Sequence, residues 1–253
     1  MCNFYGHKVS RMDYIRLKRI EKELGTIAAL NELEILKNGF AYGNAPILRK
    51  SAPDDFEIIS AHWEFIPSWI DNVKQLETAR KQGIPWLNAR SETLLTSKMF
   101  RDAALNRRCL VLASHFYEWR HYKPEGAKKE IAYPYAIEVA DADYFYMAGI
   151  YNSYTNPDTG KNLTSFAIIT GPGNELMETV HSKKKRQPTI LTEDLAWKWI
   201  MEDIEEPEIK QIASYQLPAE FMTAYTIKKK FKTSANPLEP FEYEDLPPLD
   251  IAV

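Results

Sequence analysis

The chain has 253 residues, 45% of them hydrophobic, enough to bury a sizeable core, and one large domain spanning 1–253 is expected. No apolar run approaches the roughly 20 residues that span a bilayer, and the first residues lack a basic-then-apolar signal, so a soluble cytoplasmic protein is expected. The formal net charge of -3 excludes a protein held to nucleic acid by its overall field, and two cysteines without zinc-like Cys/His spacing predict neither a disulfide framework nor a metal site.

Tyr14, Leu17, Ile20 and Leu24, then Leu33 and Leu36, recur at helical spacing. They predict two amphipathic helices, an insert at about 12–38 broken near Gly25. From Ala41 the chain changes to short apolar runs cut by Pro and Gly, which read as strands and turns. Ser97 is placed to cap a short helix through about Leu105, and Cys109–Ala113 reads as a buried strand. Tyr135, Ile137 and Val139 alternate with Ala136 and Glu138. The turn Asp141-Ala142-Asp143 leads to a strand over Tyr144–Tyr151, and Leu163–Thr170 is the next. This succession predicts an antiparallel meander within an α+β fold of mainly antiparallel β core. Asn174–Val180 and Thr192–Met201 read as short helices, the second capped by Thr192 with Glu193 and Asp194 in its first turn. The Pro- and acid-rich tail from about Pro237 to Val253 has little to pack and is expected to lie extended on the surface.

Cys2 follows Met1 directly, and a small second residue permits removal of the initiator methionine. That leaves an α-amine, with a pKa of about 7.7–8.0, and a thiol near 8.5 on one residue. Together they can condense with an aldehyde to an imine and then a five-membered thiazolidine. A cysteine beside the initiator can equally be an incidental terminal residue. Glu118 lies between Tyr117 and Trp119, where burial would raise its pKa and suit it to proton transfer; an acid at a strand end facing water would give the same letters. Asn88 and Arg90 flank Ala89, so in an extended segment both share one face. His181 ends the helix read over Asn174–Val180, a position also suited to a plain dipole partner. Lys183-Lys184-Lys185-Arg186 is the densest basic segment.

Trp63-Glu64-Phe65-Ile66-Pro67-Ser68-Trp69, Asn88-Ala89-Arg90-Ser91-Glu92, Phe116-Tyr117-Glu118-Trp119, Ser165–Thr170, and His181 with Arg186-Gln187-Pro188 occur in this order. The chain thereby resembles the SRAP family, named for SOS-response-associated peptidase, over about Cys2 to Leu191. The resemblance implies a barrel-like mixed sheet and a protein that caps abasic sites in single-stranded DNA through its N-terminal cysteine, with a peptidase activity that removes residues ahead of it. On that basis Cys2 is the nucleophile, Asn88 orients the reacting N-terminus or sugar, Glu118 handles protons and His181 assists imine formation or reversal. Arg90 grips a phosphate, Trp69 wedges against the base stack, and Lys183, Lys184, Lys185 and Arg186 contact phosphates. No cofactor and no obligatory protein partner are implied. The chain departs from the family pattern at three places: Asn3-Phe4 where Gly-Arg is usual, Glu64 where Gly is usual, and three extra residues between His181 and Arg186, with Gln187 for Met. Two other readings share these residues, a cysteine peptidase of the N-terminal-nucleophile type and a non-catalytic single-stranded DNA-binding module.

Overall fold

The computed structural model describes residues 2–8, 34–83, 86–156, 159–160 and 162–249. Two sheets carry the fold. In the first, β13 (Met222–Thr226), β8 (Ile131–Val139), β7 (His115–Tyr122), β1 (Phe4–Gly6) and β2 (Lys37–Asn38) lie side by side in that order, all antiparallel. In the second, β4 (Asp55–Trp63), β3 (Asn44–Ala52), β6 (Arg108–Ala113), β9 (Phe145–Thr155) and β10 (Asn162–Pro172) pair in that order. Because β10 also pairs in parallel with β4, these five strands close into a barrel. Three short strands extend it. β5 (Asn88–Arg90) runs parallel to β10, β11 (Arg186–Pro188) antiparallel to β10, and β12 (Ile190–Leu191) antiparallel to β9.

The helices are short: α1 (Val73–Lys81), α2 (Arg101–Asn106), α3 (Glu175–Val180), α4 (Glu193–Met201) and α5 (Glu206–Ala213). None of the described helices is long and apolar enough to cross a membrane. Side chains that alternate along the strands divide the core in two. Cys109 and Val111 of β6 join Trp63, Phe166, Tyr5 and Phe116 between barrel and first sheet, whereas Leu110 and Leu112 join Trp199 of α4 and Ile209 of α5. The Trp199 indole N–H donates to the carbonyls of Cys109 and Gly149, each at 3.1 Å, so the buried ring has no idle polar atom. The outer face of the first sheet carries Phe4, Tyr117 and Ala136, covered by Phe231 and Leu238.

Much of the predicted order is present. β6, β9, β10, α3 and α4 fall on the expected segments, and Asn174 and Thr192 cap their helices by accepting from Met177 N and Leu195 N. Three expectations change. The meander does not form as one unit: β9 and β10 pair, but β8 lies in the first sheet, and Asp141 at φ 55 helps the chain turn out of it. Ser97 starts a turn rather than the helix, which begins at Arg101. The helical pattern at 12–33 lies outside the described residues, and Leu36, read as its last apolar position, sits in a bend leading into β2. α5 and β13 were not anticipated.

The chain beyond Pro237 forms no helix or strand through Leu249 but is tied down. Tyr133 donates to Asp245 at 2.6 Å, Tyr243 donates to the Ile227 carbonyl at 2.7 Å, and Arg120 donates to the Pro247 carbonyl at 2.6 Å.

β1 positions the N-terminus, and Gly6 permits its seat. A Cβ there would lie 2.0 Å from the Ile35 carbonyl oxygen and 2.5 Å from His115 Nε2. Gly6→Ala is therefore expected to cost about 3 kcal/mol by overpacking. Urea unfolding checks this: the midpoint falls at unchanged slope, and an unmoved midpoint contradicts the close approach.

Candidate active site

The catalytic candidates Cys2, Asn88, Glu118 and His181 converge where β1, β5, β7 and the end of α3 meet. Cys2 is fully buried, its Sγ donating to the Phe4 carbonyl at 3.8 Å. Burial, aided by the charge of Glu118, pushes the thiol well above its ordinary range. Burial therefore favours the protonated thiol of Cys2 in the folded chain. Asn3 holds the segment from both sides, since its carbonyl accepts from Gly39 N–H at 3.0 Å and its Oδ1 accepts from Asn88 Nδ2 at 3.1 Å. Asn3, one of the departures, thus ties the N-terminal segment to Asn88. Asn88 Oδ1 is buried and accepts no hydrogen bond from the described residues, so it can receive an N–H or O–H from an incoming group.

Glu118 projects from β7 on the face shared with Phe116, and burial pushes its carboxyl up to about 7. His181 Nε2 is 3.5 Å from Glu118 Oε2. Burial lowers His181 to about 4, so its imidazole is neutral. His181 Nδ1 lies 2.9 Å from the Arg186 carbonyl, which can only accept, so Nδ1 carries the hydrogen and Nε2 offers a lone pair toward Glu118. The longer stretch between His181 and Arg186 fixes this ring. Lys184 N and Lys185 N donate to the His181 carbonyl at 3.1 and 2.7 Å, and Lys185 takes a left-handed φ of 49. Ser182 Oγ accepts from His121 N at 3.0 Å and pins the turn to β7.

The binding candidates are more scattered. Arg90 is exposed on β5, with Ala89 buried beside it. Trp69 is 54% exposed on the loop after β4, its ring 5.6 Å from Trp86 in an edge contact. That loop is held by Ile66 N donating to Ser165 Oγ at 2.9 Å and by Asn152 Nδ2 donating to the Ile66 carbonyl at 2.8 Å. Lys183 pairs with Glu130 at 3.1 Å and Lys185 with Glu178 at 3.7 Å, while Lys184 is exposed and its charge acts on both Glu118 and His181. Arg186 departs from its assignment as a phosphate contact. It is buried, and its guanidinium grips Glu92 at 2.6 and 3.0 Å and the Thr170 carbonyl at 2.6 Å. Hydrogen bonding from Arg186 pulls Glu92 down to about 2.

Sequence reading gave Glu92 no role although its motif was in view; pairing a buried Arg with a nearby acid was the available signal. It also left Glu64 unexplained. That carboxylate is fully buried and bridges to Arg80 of α1 at 2.5 Å and to His62 at 3.4 Å, fastening α1 to β4. Among the described residues no group of three or more His, Cys, Asp and Glu side chains could hold a metal ion.

The pattern of the family described as SOS response associated peptidase (SRAP) matches residues 8–234. The chain belongs to the SRAP family. It is 32% identical over 174 residues to the abasic site processing protein YoqW of Bacillus subtilis, covering 69% of this chain and 70% of that one. It is 26% identical over 216 residues to the abasic site processing protein YedK of Escherichia coli, covering 85% and 86%. A crystal structure of a Bacteroides thetaiotaomicron protein is similar with a TM-score of 0.78 at 28% identity, covering 94% of this chain and 97% of that one. This SRAP chain therefore carries a mixed-sheet barrel, with Cys2, Asn88, Glu118 and His181 gathered where β1, β5, β7 and the end of α3 meet.

The Glu118 shift has a stability consequence of definite sign. Its folded value, about 7, lies above the ordinary 4.5, so the folded state binds the proton more tightly. The resulting stability is fully present below 4.5 and is lost as pH rises through 7. Glu118→Gln, which cannot ionise, is expected to gain stability relative to the parent across that window and to hold a constant advantage above it. Denaturant midpoints of both proteins from pH 5 to 8 check this, and a pH-independent difference contradicts a buried neutral carboxyl.

Proposed function

We propose that this protein processes abasic sites in single-stranded DNA by forming a covalent thiazolidine through Cys2 after removal of Met1. The observation that carries the reading is the buried cluster of Cys2, Glu118 and His181 beside the open acceptor of Asn88, in a chain whose relatives are named abasic site processing proteins.

An abasic sugar rests mainly as a closed hemiacetal. Protonated Glu118 gives its proton to the ring oxygen as the anomeric hydroxyl passes one to the neutral His181 Nε2, and the ring opens to an aldehyde. The α-amine of Cys2, oriented by Asn88 Oδ1, adds to the aldehyde carbon, and the proton held on His181 Nε2 departs with the carbinolamine hydroxyl as water, leaving an iminium ion and a free Nε2. The Cys2 thiol then closes the five-membered ring, its proton passing to His181 Nε2. One water is released overall. Arg90 and Lys184 supply local positive charge that the net charge of -3 does not, and Trp69 stacks on a base beside the lesion.

The test is adduct formation on a single-stranded oligonucleotide with one abasic site, read as a mass shift that survives denaturation. Cys2→Ala is expected to abolish the stable adduct while leaving an imine that borohydride traps. Glu118→Gln is expected to slow formation about 100-fold with little change in DNA affinity. Because only the acid form of Glu118 serves ring opening, the rate ratio of parent to Glu118→Gln should fall as pH rises above about 7. Parent protein that forms no adduct, or Cys2→Ala that forms a stable one, overturns the proposed chemistry.

A further inference from the structure

Beside Cys2 stands a second group of side chains that the chemistry above leaves idle. Phe4 is buried, with Phe40 at 6.2 Å and Trp119 at 5.5 Å from its ring centre. The Lys232 ammonium lies 4.0 Å from the Phe4 ring centre, 5.3 Å from that of Trp119 and 6.0 Å from that of Phe231. The basic run Lys228-Lys229-Lys230-Phe231-Lys232 rivals the one at Lys183–Arg186, yet sequence reading passed over it. Its members are not equivalent. Lys228 pairs with Glu239 at 2.7 Å, and Lys229 lies 4.9 Å from the ring centre of Tyr133. Lys232 has no carboxylate within ion-pair distance among the described residues, and contact with the rings partly desolvates its charge. A cation stripped of part of its water, with no anion beside it, gains more from an arriving anion than a fully hydrated one.

Phe40 completes the arrangement. Its ring is 46% exposed although the turn beneath it is well anchored. Asn38 Oδ1 accepts from Phe40 N at 3.0 Å, and Gly39 N–H donates to the Asn3 carbonyl at 3.0 Å. The flat ring is therefore held in place by the residue that follows the nucleophile. Lys232 and Phe40 both ride on the Phe4 ring, within reach of a single nucleotide. A fixed aromatic face with a bare cation beside it fits one base and its phosphate in a single strand.

We propose that Phe40 and Lys232 form a seat for a nucleotide neighbouring the one at Cys2, the base stacked on Phe40 and the phosphodiester on Lys232. The proposal rests on the single-stranded DNA reading of the site but not on its covalent step. Neither residue touches the reacting atoms; the seat sets register and affinity.

The test measures affinity for a fluorescein-labelled single-stranded oligonucleotide without an abasic site, by anisotropy across a salt series. Lys232→Gln should weaken binding about five- to tenfold at low salt and flatten the slope of log affinity against log salt by about 0.7, the share of one phosphate contact on a single strand. Lys232→Arg should keep the parent slope. Phe40→Ser should weaken binding about tenfold at every salt concentration without changing the slope. Melting temperatures establish that each variant is folded, and if Lys232→Gln is not, Lys232→Met is read in its place. A parent slope in the charge-removing variant, or parent affinity in Phe40→Ser, overturns the seat. Adduct formation on an abasic strand is followed in parallel. Parent protein that binds the plain strand but makes no adduct sinks the cysteine chemistry and leaves the seat to be judged by its slope, whereas parent protein that binds no single strand overturns both.

Discussion

The burial of the Glu118 carboxyl is the constraint around which the site is arranged. Taking a carboxyl out of water disfavours its charged form, and here burial moves Glu118 to about 7 against the pull of nearby positive charge such as that of Lys184. The same dry surroundings keep Cys2 as a thiol and His181 as a neutral imidazole. Keeping water away requires the first sheet to lie against the barrel with Phe116 and Tyr5 between them, and α3 to end at His181 above Glu118. It also requires β1 to stay paired between β7 and β2, because a frayed β1 would carry Cys2 and Asn3 away. The close passage of Ile35 over Gly6 is thus part of the electrostatics of the site as much as of its packing.

The departures from the family pattern become intelligible as local solutions to that constraint. Asn3 places an amide where it can hold Asn88, so Asn88 offers its oxygen rather than its nitrogen to the pocket. The extra residues between His181 and Arg186 do not push the histidine out, because they fold into a turn whose amides converge on the His181 carbonyl. Glu64 exchanges a small residue for a buried charge, and the charge is tolerable because Arg80 and His62 meet it. Phe4 places an aromatic ring in the outer-face cluster, and Lys232 lies across it.

What was legible in the sequence was what local pattern encodes. At Asn88-Ala89-Arg90 the sequence put the outer two on one face only if the segment was extended, and β5 is extended there with Ala89 buried, while the side chains of Asn174 and Thr192 marked helix starts that the hydrogen bonds reproduce. Local pattern does not encode which strands pair. The parallel contact of β10 with β4 that closes the barrel joins segments about a hundred positions apart, and β8 alternates as well in the first sheet as it would beside β9. The same limit applied to charge. Arg186 was assigned to a phosphate with the basic run before it, but Glu92 meets it from a distant turn, and Lys232 drew no reading although the rings beneath it set it apart from its neighbouring lysines. In both cases the fate of the cation depended on a partner remote in sequence.

The burial of the thiol also orders the proposed chemistry. With the thiol held above its ordinary range, sulfur is the poorer first nucleophile toward an aldehyde, and in the proposed order the α-amine leads. Once the imine forms and takes a proton, a positive charge sits where none stood before, and it favours loss of the thiol proton. His181 Nε2, whose other nitrogen is committed to the Arg186 carbonyl, is the lone pair facing the site to receive it. The proton thereby stays within reach of Glu118, 3.5 Å from that nitrogen, and the acid consumed in opening the sugar can be regenerated as the thiazolidine closes. Reversal runs through the same two groups in the opposite order, so one buried pair governs both how readily the adduct forms and how long it lasts.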